Sequence, residues 1–421
     1  MYVAVYGSGY LATVISACIA DFGTPVSCFE PGSERIVLLA QGKTDYFERN
    51  LEEVLRRNIR AGRLSYSTEL ESSVRKAQII FMAQDRPVSL EKASFEVLRQ
   101  ANTDAMLVIA TPVPVGSARK VEAQLRAAGI GATVVSQPMF LTDGCAVEDF
   151  NWPDRILLGT SNGEAVLKLK QLYRPLVMRG VPVIVTTHET AELVRESTTA
   201  FVAAKIAFIN EVAALCERVG ADAVDLALAL GLDKKIAPRC LQPGAVFGGA
   251  FAQHDMESLA NLASGHGTTL RILDAAREVN ASLAGRITDK ICATLQSPSG
   301  KEIGLLGLSF KPNTNSVAGS SSLVLARSLK ERGARVRAYD PVAMPRARNE
   351  LSDVRYCESA YAASEGADAL VVGTAWPEFR ALDFDRIKRL LKQPVVIDTK
   401  NLLDGARLRS MGYQYVGVGR T

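Results

Sequence analysis

Two closely spaced glycines near the start of the chain could bind the phosphates of a nucleotide. Gly7 and Gly9 lie in the run GSGYLA, which follows the short apolar run MYVAVY and precedes a pattern of helical periodicity. Glycines at such a turn permit a tight bend and let the backbone approach a pyrophosphate at the helix N-terminus. Ala12 stands at the third glycine position of the dinucleotide-binding pattern G-x-G-x-x-G, where alanine is commonly accommodated. The turn predicts a dinucleotide site that includes Tyr10 and Leu11, although glycine-rich turns also occur in doubly wound domains without dinucleotide.

The acidic residue expected about 20 residues beyond such a turn is present. Glu30 ends the second predicted strand, PVSCFE. Its carboxylate could accept hydrogen bonds from an adenosine ribose and would repel a 2′-phosphate. The sequence therefore predicts NAD rather than NADP as the cofactor.

One histidine beside an aspartate could transfer a proton. His254 directly precedes Asp255, and an imidazole with a carboxylate partner can act as a general base. A hydrogen-bonded loop histidine is an equally good interpretation. The other histidines, His188 and His266, have no metal-ligand spacing, so we expect no metal site.

Alternating strands and helices must position the cofactor turn. The runs PVSCFE, AQIIFMA, AMLVIA and TVVSQ are typical of strands, with AQIIFMA expected as the third. Polar helical segments such as FERNLEEVLRRNIRAG separate them. This alternation predicts an α/β fold with a doubly wound parallel sheet.

The pattern changes to a long helical tract from about Thr187 to Gln296. Its first segment is apolar around most of its circumference, which indicates a central spine helix or a subunit interface buried on several sides. Strand and helix patterns resume after the run SPSGK. We predict a Rossmann-like domain over 1–186, a central helical domain over 187–297 and a second Rossmann-like domain over 298–421.

Composition limits the possible functions. The 421 residues carry a net charge of +4 without a basic block, which gives no electrostatic support for nucleic-acid or membrane-surface binding. The seven cysteines are scattered and form no C-x-x-C motif, as expected of a reducing compartment. With no signal peptide or transmembrane pattern recognised, we predict a cytoplasmic protein.

Three longer runs resemble the UDP-glucose/GDP-mannose dehydrogenase family. SQPMFLTDGCAVEDFNWPDRILLG is similar to the family's S-N-P-E-F-L-R-E-G segment and its continuation, and LDKKIAPRCLQPGAVFGGAFAQHD is similar to its L-x-P-G-x-G-F-G-G-S-C-F-P-K-D segment. GLSFKPNTNSVAGSSSLVLARSLKERGARVRAYDP resembles the G-L-A-F-K-P-N-T-D-D-x-R segment, and GSGYLA resembles the G-x-G-Y-x-G opening. The order and spacing agree from residue 1 to about residue 418.

The resemblance implies an NAD domain, a central helical dimerisation domain and a domain that binds a nucleotide sugar such as a UDP-sugar. It also implies a four-electron oxidation of a sugar hydroxymethyl group to a carboxylate, with two NAD used in turn. The second oxidation in that chemistry passes through a cysteine thiohemiacetal and a thioester. The substrate-binding residues that it implies here are Phe140, Leu141, Arg195, Lys235, Phe247, Gly248, Gly249, Lys311 and Lys400.

The sequence departs from the family at the positions that carry the chemistry. When Phe247, Gly248, Gly249 and Asp255 are aligned with the family, Phe251 stands at the position of the nucleophilic cysteine. Met139 replaces the general-base glutamate, Arg195 and Thr199 replace the lysine and asparagine of the central helix, and His254 takes another lysine position. A phenyl ring forms no covalent adduct, and methionine cannot activate water.

The sequence also differs from the family at positions that contact the nucleotide sugar or the cofactor. Lys235 and Lys400 stand where the family has arginines, and lysine lacks the bidentate fork. Ala318 replaces an arginine that approaches the cofactor in the family. Cys145 and Cys240 border the family's active site, so either could be a relocated thiol, although a small half-buried hydrophobic residue is the commoner role.

Three hypotheses remain open from the sequence. The first is a divergent NAD-binding nucleotide-sugar dehydrogenase homologue that does not complete the four-electron reaction. The second is an oxidoreductase limited to a two-electron step, which the intact cofactor turn favours. The third is a non-catalytic scaffold or regulatory partner, dimeric through the central helices with itself or with an active paralogue, which the replaced nucleophile favours.

Overall fold

The computed structural model describes residues 1–85 and 89–420, except the side chains of Ser33, Ala250 and Phe251. The chain divides into two compact units, Met1–Thr198 and Thr199–Thr421. Each unit contains one β-sheet. The three-part division predicted from the sequence stays a prediction.

The first unit contains an eight-stranded sheet with the order β3-β2-β1-β4-β5-β6-β7-β8. Its strands are β1 (Val3–Tyr6), β2 (Val26–Phe29), β3 (Leu64–Ser67), β4 (Ile79–Met82), β5 (Met106–Ile109), β6 (Val134–Ser136), β7 (Ile156–Gly159) and β8 (Val183–Thr186). Strands β1 to β6 are parallel, whereas β7 is antiparallel to β6 and parallel to β8. All carboxyl ends of β1 to β6 therefore meet at one edge.

The helices of the first unit lie between these strands in the chain. They are α1 (Tyr10–Asp21), α2 (Ser33–Ala40), α3 (Leu51–Arg60), α4 (Leu70–Val74), α5 (Leu90–Gln100), α6 (Ser117–Ala127), α7 (Ala146–Asn151), α8 (Gly163–Leu172) and α9 (Arg174–Val177). Two apolar clusters pack around the sheet, one of them built on α1, α3, α7 and α8. The central strands are apolar throughout because parallel sheets in such folds are covered on both faces.

A long helix, α10 (His188–Val219), begins in the first unit and ends in the second. Ile206 and Ile209 on this helix are buried, whereas Phe201, Phe208 and Leu215 are exposed in the single chain. The predicted burial on several sides is thus incomplete in one copy of the chain. Among the described residues, α10 alone is long and apolar enough to cross a membrane, but core helices of soluble proteins have the same length and composition.

The second unit combines helices with a six-stranded parallel sheet. Its helices are α11 (Ala223–Leu232), α12 (Ala250–Gly265), α13 (Arg271–Leu295), α14 (Ser321–Glu331), α15 (Met344–Glu350), α16 (Ala360–Ser364), α17 (Phe384–Leu390) and α18 (Gly405–Ser410), with a 3-10 helix at Pro377–Ala381. Its strands are β9 (Glu302–Leu306), β10 (Arg335–Tyr339), β11 (Arg355–Tyr356), β12 (Ala369–Val372), β13 (Val395–Asp398) and β14 (Gln414–Gly417). They follow the order β11-β10-β9-β12-β13-β14.

The predicted α/β architecture, with two Rossmann-like parallel sheets and a helical middle, is confirmed. One detail was wrong, because the run AQIIFMA forms the fourth strand and not the third. The additional strand, β3, has the short and mostly polar sequence LSYS. Strand β3 lies at the edge of the sheet, where a mostly apolar sequence is not required.

Candidate functional site

The predicted cofactor turn joins β1 to α1 and requires both of its glycines. Gly7 has φ 153°, and a Cβ there would lie 2.4 Å from the carbonyl oxygen of Ala83. Gly9 has φ 116°, and a Cβ there would lie 2.1 Å from Oδ2 of Asp85. Other residues rarely adopt such φ values, and the contact at Gly7 is with rigid backbone. The sequence thus folds here into the close strand-to-helix turn that was predicted.

A carboxylate that the sequence reasoning missed binds the amides of this turn. The N–H groups of Tyr10 and Leu11 donate to Oδ2 and Oδ1 of Asp85, both at 2.8 Å. Asp85 thereby lies at the positive end of the α1 dipole. Burial raises the pKa of Asp85, although the two amides and the charge of Arg35 act in the opposite direction.

Glu30 lies beside the cofactor turn because β2 pairs in parallel with β1, with Phe29 opposite Tyr6. Its side chain is buried, accepts a hydrogen bond from the Gly32 N–H at 3.0 Å and lies 3.5 Å from Nε of Arg35. Burial raises the pKa of Glu30, opposed by these two contacts. Glu30 is therefore placed at the strand end where the fingerprint puts the ribose-binding acid.

These residues fit a dinucleotide. Gly7 and Gly9 have no side chain to block an approach to the backbone, the helix amides point at an anion, and Glu30 follows β2. In this structure the anion at the amides is the Asp85 carboxylate. When bound, NAD supplies hydride acceptance, and the chain supplies the turn and the acid that orient it.

The side chain of Tyr10 contacts a second carboxylate that the sequence analysis did not predict, that of Glu48. Its hydroxyl donates to Oε2 of Glu48 at 2.5 Å, and Glu48 also accepts hydrogen bonds from the N–H groups of Gly144 and Ala146 at 2.6 and 3.0 Å. Burial raises the pKa of Glu48, whereas the Tyr10 hydroxyl and both amides lower it. Glu48 thus connects α1 to the start of α7.

The segment around Met139, which the sequence places at the position of the family's base, is packed and hydrogen-bonded. Met139 is buried in an apolar cluster, and its carbonyl oxygen accepts a hydrogen bond from Nη1 of Arg195 at 2.8 Å. The guanidinium of Arg155 lies 3.8 Å from the ring centroid of Phe140. Leu141 packs partly buried against the same cluster as Met139. No side chain in this set offers a carboxylate.

The second unit contains the loop of Phe247, Gly248 and Gly249. The side chain of Asn280 accepts from the Phe247 N–H and donates to its carbonyl oxygen, both at 2.8 Å. A Cβ on Gly248 would lie 3.0 Å from the ring of Phe310, and Gly249 has φ 92°. The two glycines therefore allow this loop to lie against the ring before α12 begins.

The predicted pair on α12 points in two directions. His254 is exposed, whereas Asp255 is buried and accepts a hydrogen bond from Oγ1 of Thr199 at 3.1 Å. Successive helix positions do not face each other. Phe251 lies in the first turn of α12, and the prediction about its side chain falls outside the described residues. The catalytic roles stay predictions.

Three lysines of the second unit were predicted to bind substrate. Nζ of Lys400 donates to the carbonyl oxygen of Gly244 at 2.9 Å and to Oγ of Ser321 at 3.3 Å. Burial lowers the pKa of Lys400 from 10.5 to about 8, although the nearby Asp398 raises it. Lys311 is half-buried and Lys235 is exposed.

The two cysteines considered as relocated thiols lie in different units. Cys145 immediately precedes α7, and Cys240 packs against an apolar cluster with α10 and α12. Within the described parts of the chain, no group of three or more histidine, cysteine, aspartate or glutamate side chains could hold a metal ion.

The first unit thus has the sheet, turn and acid that are typical of a dinucleotide-binding domain of the Rossmann class. Comparison with known proteins narrows the class. The UDP-glucose/GDP-mannose dehydrogenase family matches over three domains, the NAD binding domain at residues 1–177, the central domain at 189–282 and the UDP binding domain at 304–405. The chain belongs to this family.

Individual relatives agree over the full length. The UDP-glucose 6-dehydrogenase of Rhizobium meliloti is 35% identical over 435 residues, which cover 100% of both chains. The enzyme of the same name from Bacillus subtilis is 34% identical over 99% of this chain and 93% of its own. The solved UDP-glucose dehydrogenase of Pyrobaculum islandicum superposes with a TM-score of 0.88 at 31% identity, covering 100% of this chain and 98% of the other.

The family resemblance and the NAD cofactor predicted from the sequence are confirmed by these matches. The chain carries an NAD-binding domain and a UDP-binding domain.

Proposed function

We propose that this protein is a divergent NAD-binding nucleotide-sugar dehydrogenase homologue that does not complete the four-electron oxidation to a uronic acid. The proposal is supported by the motif alignment made from the sequence, in which Phe251 and Met139 stand at the positions of the family's nucleophile and base. Met139 is packed in an apolar cluster, where it has no means to take up a proton. The rest of the framework is retained.

The missing thiol prevents the second half of the family reaction. After the first hydride transfer the product is an aldehyde, and a thiolate must add to its carbonyl carbon before a second hydride can leave. Hydride loss from that adduct gives a thioester, which water opens to the acid. Unless Cys145 or Cys240 serves as a relocated thiol, no adduct forms, and we expect at most one hydride to be transferred for each sugar.

Two alternatives have support of their own. A two-electron oxidoreductase is supported by the intact turn of Gly7 and Gly9 with Glu30 beside it. In that case exposed His254 or an ordered water acts as the base. A non-catalytic scaffold or regulatory partner is supported by the loss of both the thiol and the base carboxylate.

The ligand is a nucleotide sugar, and a UDP-sugar fits the UDP-binding domain. We place its contacts at Phe140, Leu141, Arg195, Lys235, Phe247, Gly248, Gly249, Lys311 and Lys400. Half-buried Lys400 offers an ammonium with three N–H donors, of which two are directed at protein oxygens in the described residues. The proposed location is the cytoplasm.

A homodimer through the central helices is supported by one face of α10. Phe201, Phe208 and Leu215 recur at intervals of seven residues and are 73%, 54% and 56% exposed. Residues seven apart lie on the same face of a helix. A second copy, or an active paralogue, would remove this apolar row from water. The proposed dimerisation domain spans 187–297, between domains at 1–186 and 298–421.

Calorimetric titration with NAD and with UDP-glucose, followed by product analysis with both present, tests the proposal. We expect both ligands to bind, at most one NADH to form for each sugar, and no UDP-glucuronate to appear by mass spectrometry. Two NADH for each UDP-glucose, together with the uronic acid, would refute the proposal. Binding without any NADH would favour the scaffold, whereas one NADH with an aldehyde product would favour the two-electron enzyme.

A further inference from the structure

We infer that the Asp85 carboxylate is an internal competitor of the cofactor, which must leave the amides of α1 before the pyrophosphate of NAD can bind there. The inference uses the NAD-binding domain and is independent of whether sugar oxidation is retained. It concerns one contact of the first unit, between the loop after β4 and the turn after β1.

The carboxylate fills the space that the cofactor turn leaves open. Its two oxygens accept the N–H groups of Tyr10 and Leu11, the amides that begin α1. Oδ2 also lies 2.1 Å from the point where a Cβ on Gly9 would be. The absence of a side chain at Gly9 is what lets a phosphate approach in the dinucleotide fingerprint. Asp85 and a pyrophosphate would therefore compete for one position.

Like charges make simultaneous binding unfavourable. Two phosphates and a carboxylate cannot share the same pair of amides without strong repulsion. Among the described residues, Arg35 is a cation that acts on Asp85, and it also lies 3.5 Å from Glu30 and 3.4 Å from Asp45. Its charge is thus divided among carboxylates. Asp85 must therefore move away when the cofactor binds.

Two other helices of the first unit begin at carboxylates that are more deeply buried than Asp85. Glu192 accepts the N–H groups of Gly116 and Ala118 at the start of α6, and Glu48 does the same for α7. Both glutamates are buried. Asp85 is only partly buried, so it can rotate toward solvent without first opening the core. This difference makes Asp85 a displaceable anion.

Removal of the competing charge should tighten cofactor binding. We would titrate NAD and ADP-ribose calorimetrically into the wild-type protein, Asp85→Asn and Asp85→Ala. Because caps and dipole contacts at helix N-termini each have several-fold effects, we expect dissociation constants about tenfold lower in both variants, equal to about 1.4 kcal/mol. Adenosine, which has no phosphate, should bind all three proteins equally. The ligand-free variants should also melt at lower temperature, because α1 loses its carboxylate cap.

A matched control is available at the other end of the parallel strands, where their amino ends lie. Asp104 is exposed and lies just before the amino end of β5, whereas the cofactor turn follows the carboxyl end of β1. Asp104→Asn removes the same charge and should leave NAD binding unchanged. Circular dichroism verifies that each variant is folded. If Asp85→Ala does not fold, the isosteric variant Asp85→Asn alone decides the test. Unchanged or weaker NAD binding in a folded Asp85→Asn would overturn the inference, as would an equal gain for adenosine or for Asp104→Asn.

Discussion

The protonation of Lys400 should make UDP binding depend on pH in the mildly alkaline range. The ammonium donates hydrogen bonds to Gly244 and Ser321, and desolvation lowers the pKa of Lys400 to about 8. A phosphate oxygen attracts the charged form only. If Lys400 contacts the diphosphate as proposed, UDP should bind well at pH 7 and lose affinity as Lys400 is deprotonated.

The size of the effect follows from the pKa of Lys400. With that pKa near 8, roughly 90% of Lys400 is protonated at pH 7 and roughly 10% at pH 9, so the dissociation constant of UDP should rise about tenfold, or about 1.4 kcal/mol. The lowered pKa of Lys400 also determines how the free energy of unfolding changes with pH. Since the folded protein releases this proton before the unfolded chain does, the free energy of unfolding gains a contribution from Lys400 as the pH rises from about 8 toward 10.5.

Calorimetric titration of UDP at half-unit steps between pH 7 and pH 9.5 would measure the effect. The diphosphate of UDP is fully ionised over most of this range, because its last proton leaves near pH 6. The control is Lys400→Arg, whose guanidinium stays charged throughout and should give a flat profile. A flat profile in the wild-type protein, or the same loss of affinity in Lys400→Arg, would refute the assignment of Lys400 to the diphosphate.

Three further predictions concern the core, the proposed interface and the proposed loss of the nucleophile. Glu48→Ala should lower the free energy of unfolding by about 2–4 kcal/mol in urea denaturation, because buried donors of Tyr10 and α7 lose their acceptor; a loss below about 0.5 kcal/mol would contradict this. Phe208→Glu should convert a dimer into a folded monomer by light scattering, and a wild-type monomer would disprove the proposed interface. Phe251→Cys should form no UDP-glucuronate, since Met139 cannot replace the base; recovered synthesis would show that the thiol alone was missing.

The fold could be predicted wherever apolar runs were bounded by glycine or by helical periodicity. Strands β1, β4 and β5 are buried on both faces, and their sequences are accordingly apolar throughout. The two-residue β11 lies at a sheet edge, and a two-residue strand gives almost no periodicity to recognise. The antiparallel pairing of β7 with β6 also has no local signal, because strand direction depends on how the chain returns to the sheet.

Some residues of the candidate site could be predicted from the sequence, and others could not. Gly7, Gly9 and Glu30 could be placed from the sequence because their function depends on local geometry and on one neighbouring strand. Asp85 and Glu48 could not, since they meet the cofactor turn from 75 and 38 residues away along the chain. A sequence motif describes the amides that a ligand would use, but it does not reveal which distant carboxylate already accepts them.

The turn after β9 in the second sheet can be compared with the cofactor turn after β1, because a carboxylate accepts the amides of each. Both units share the order of their first six strands, and Gly307 after β9 corresponds to Gly7 after β1. In the second unit, however, the amides of Leu308 and Ser309 donate to the fully buried carboxylate of Asp340, at 2.7 and 2.9 Å. That turn is closed by an anion that cannot leave without opening the core. Asp340 follows β10 as Glu30 follows β2, but in the first unit the amides of the turn bind Asp85, which comes after β4 and is only partly buried. On the inference above, we expect a pyrophosphate to displace Asp85 from the first turn and not Asp340 from the second.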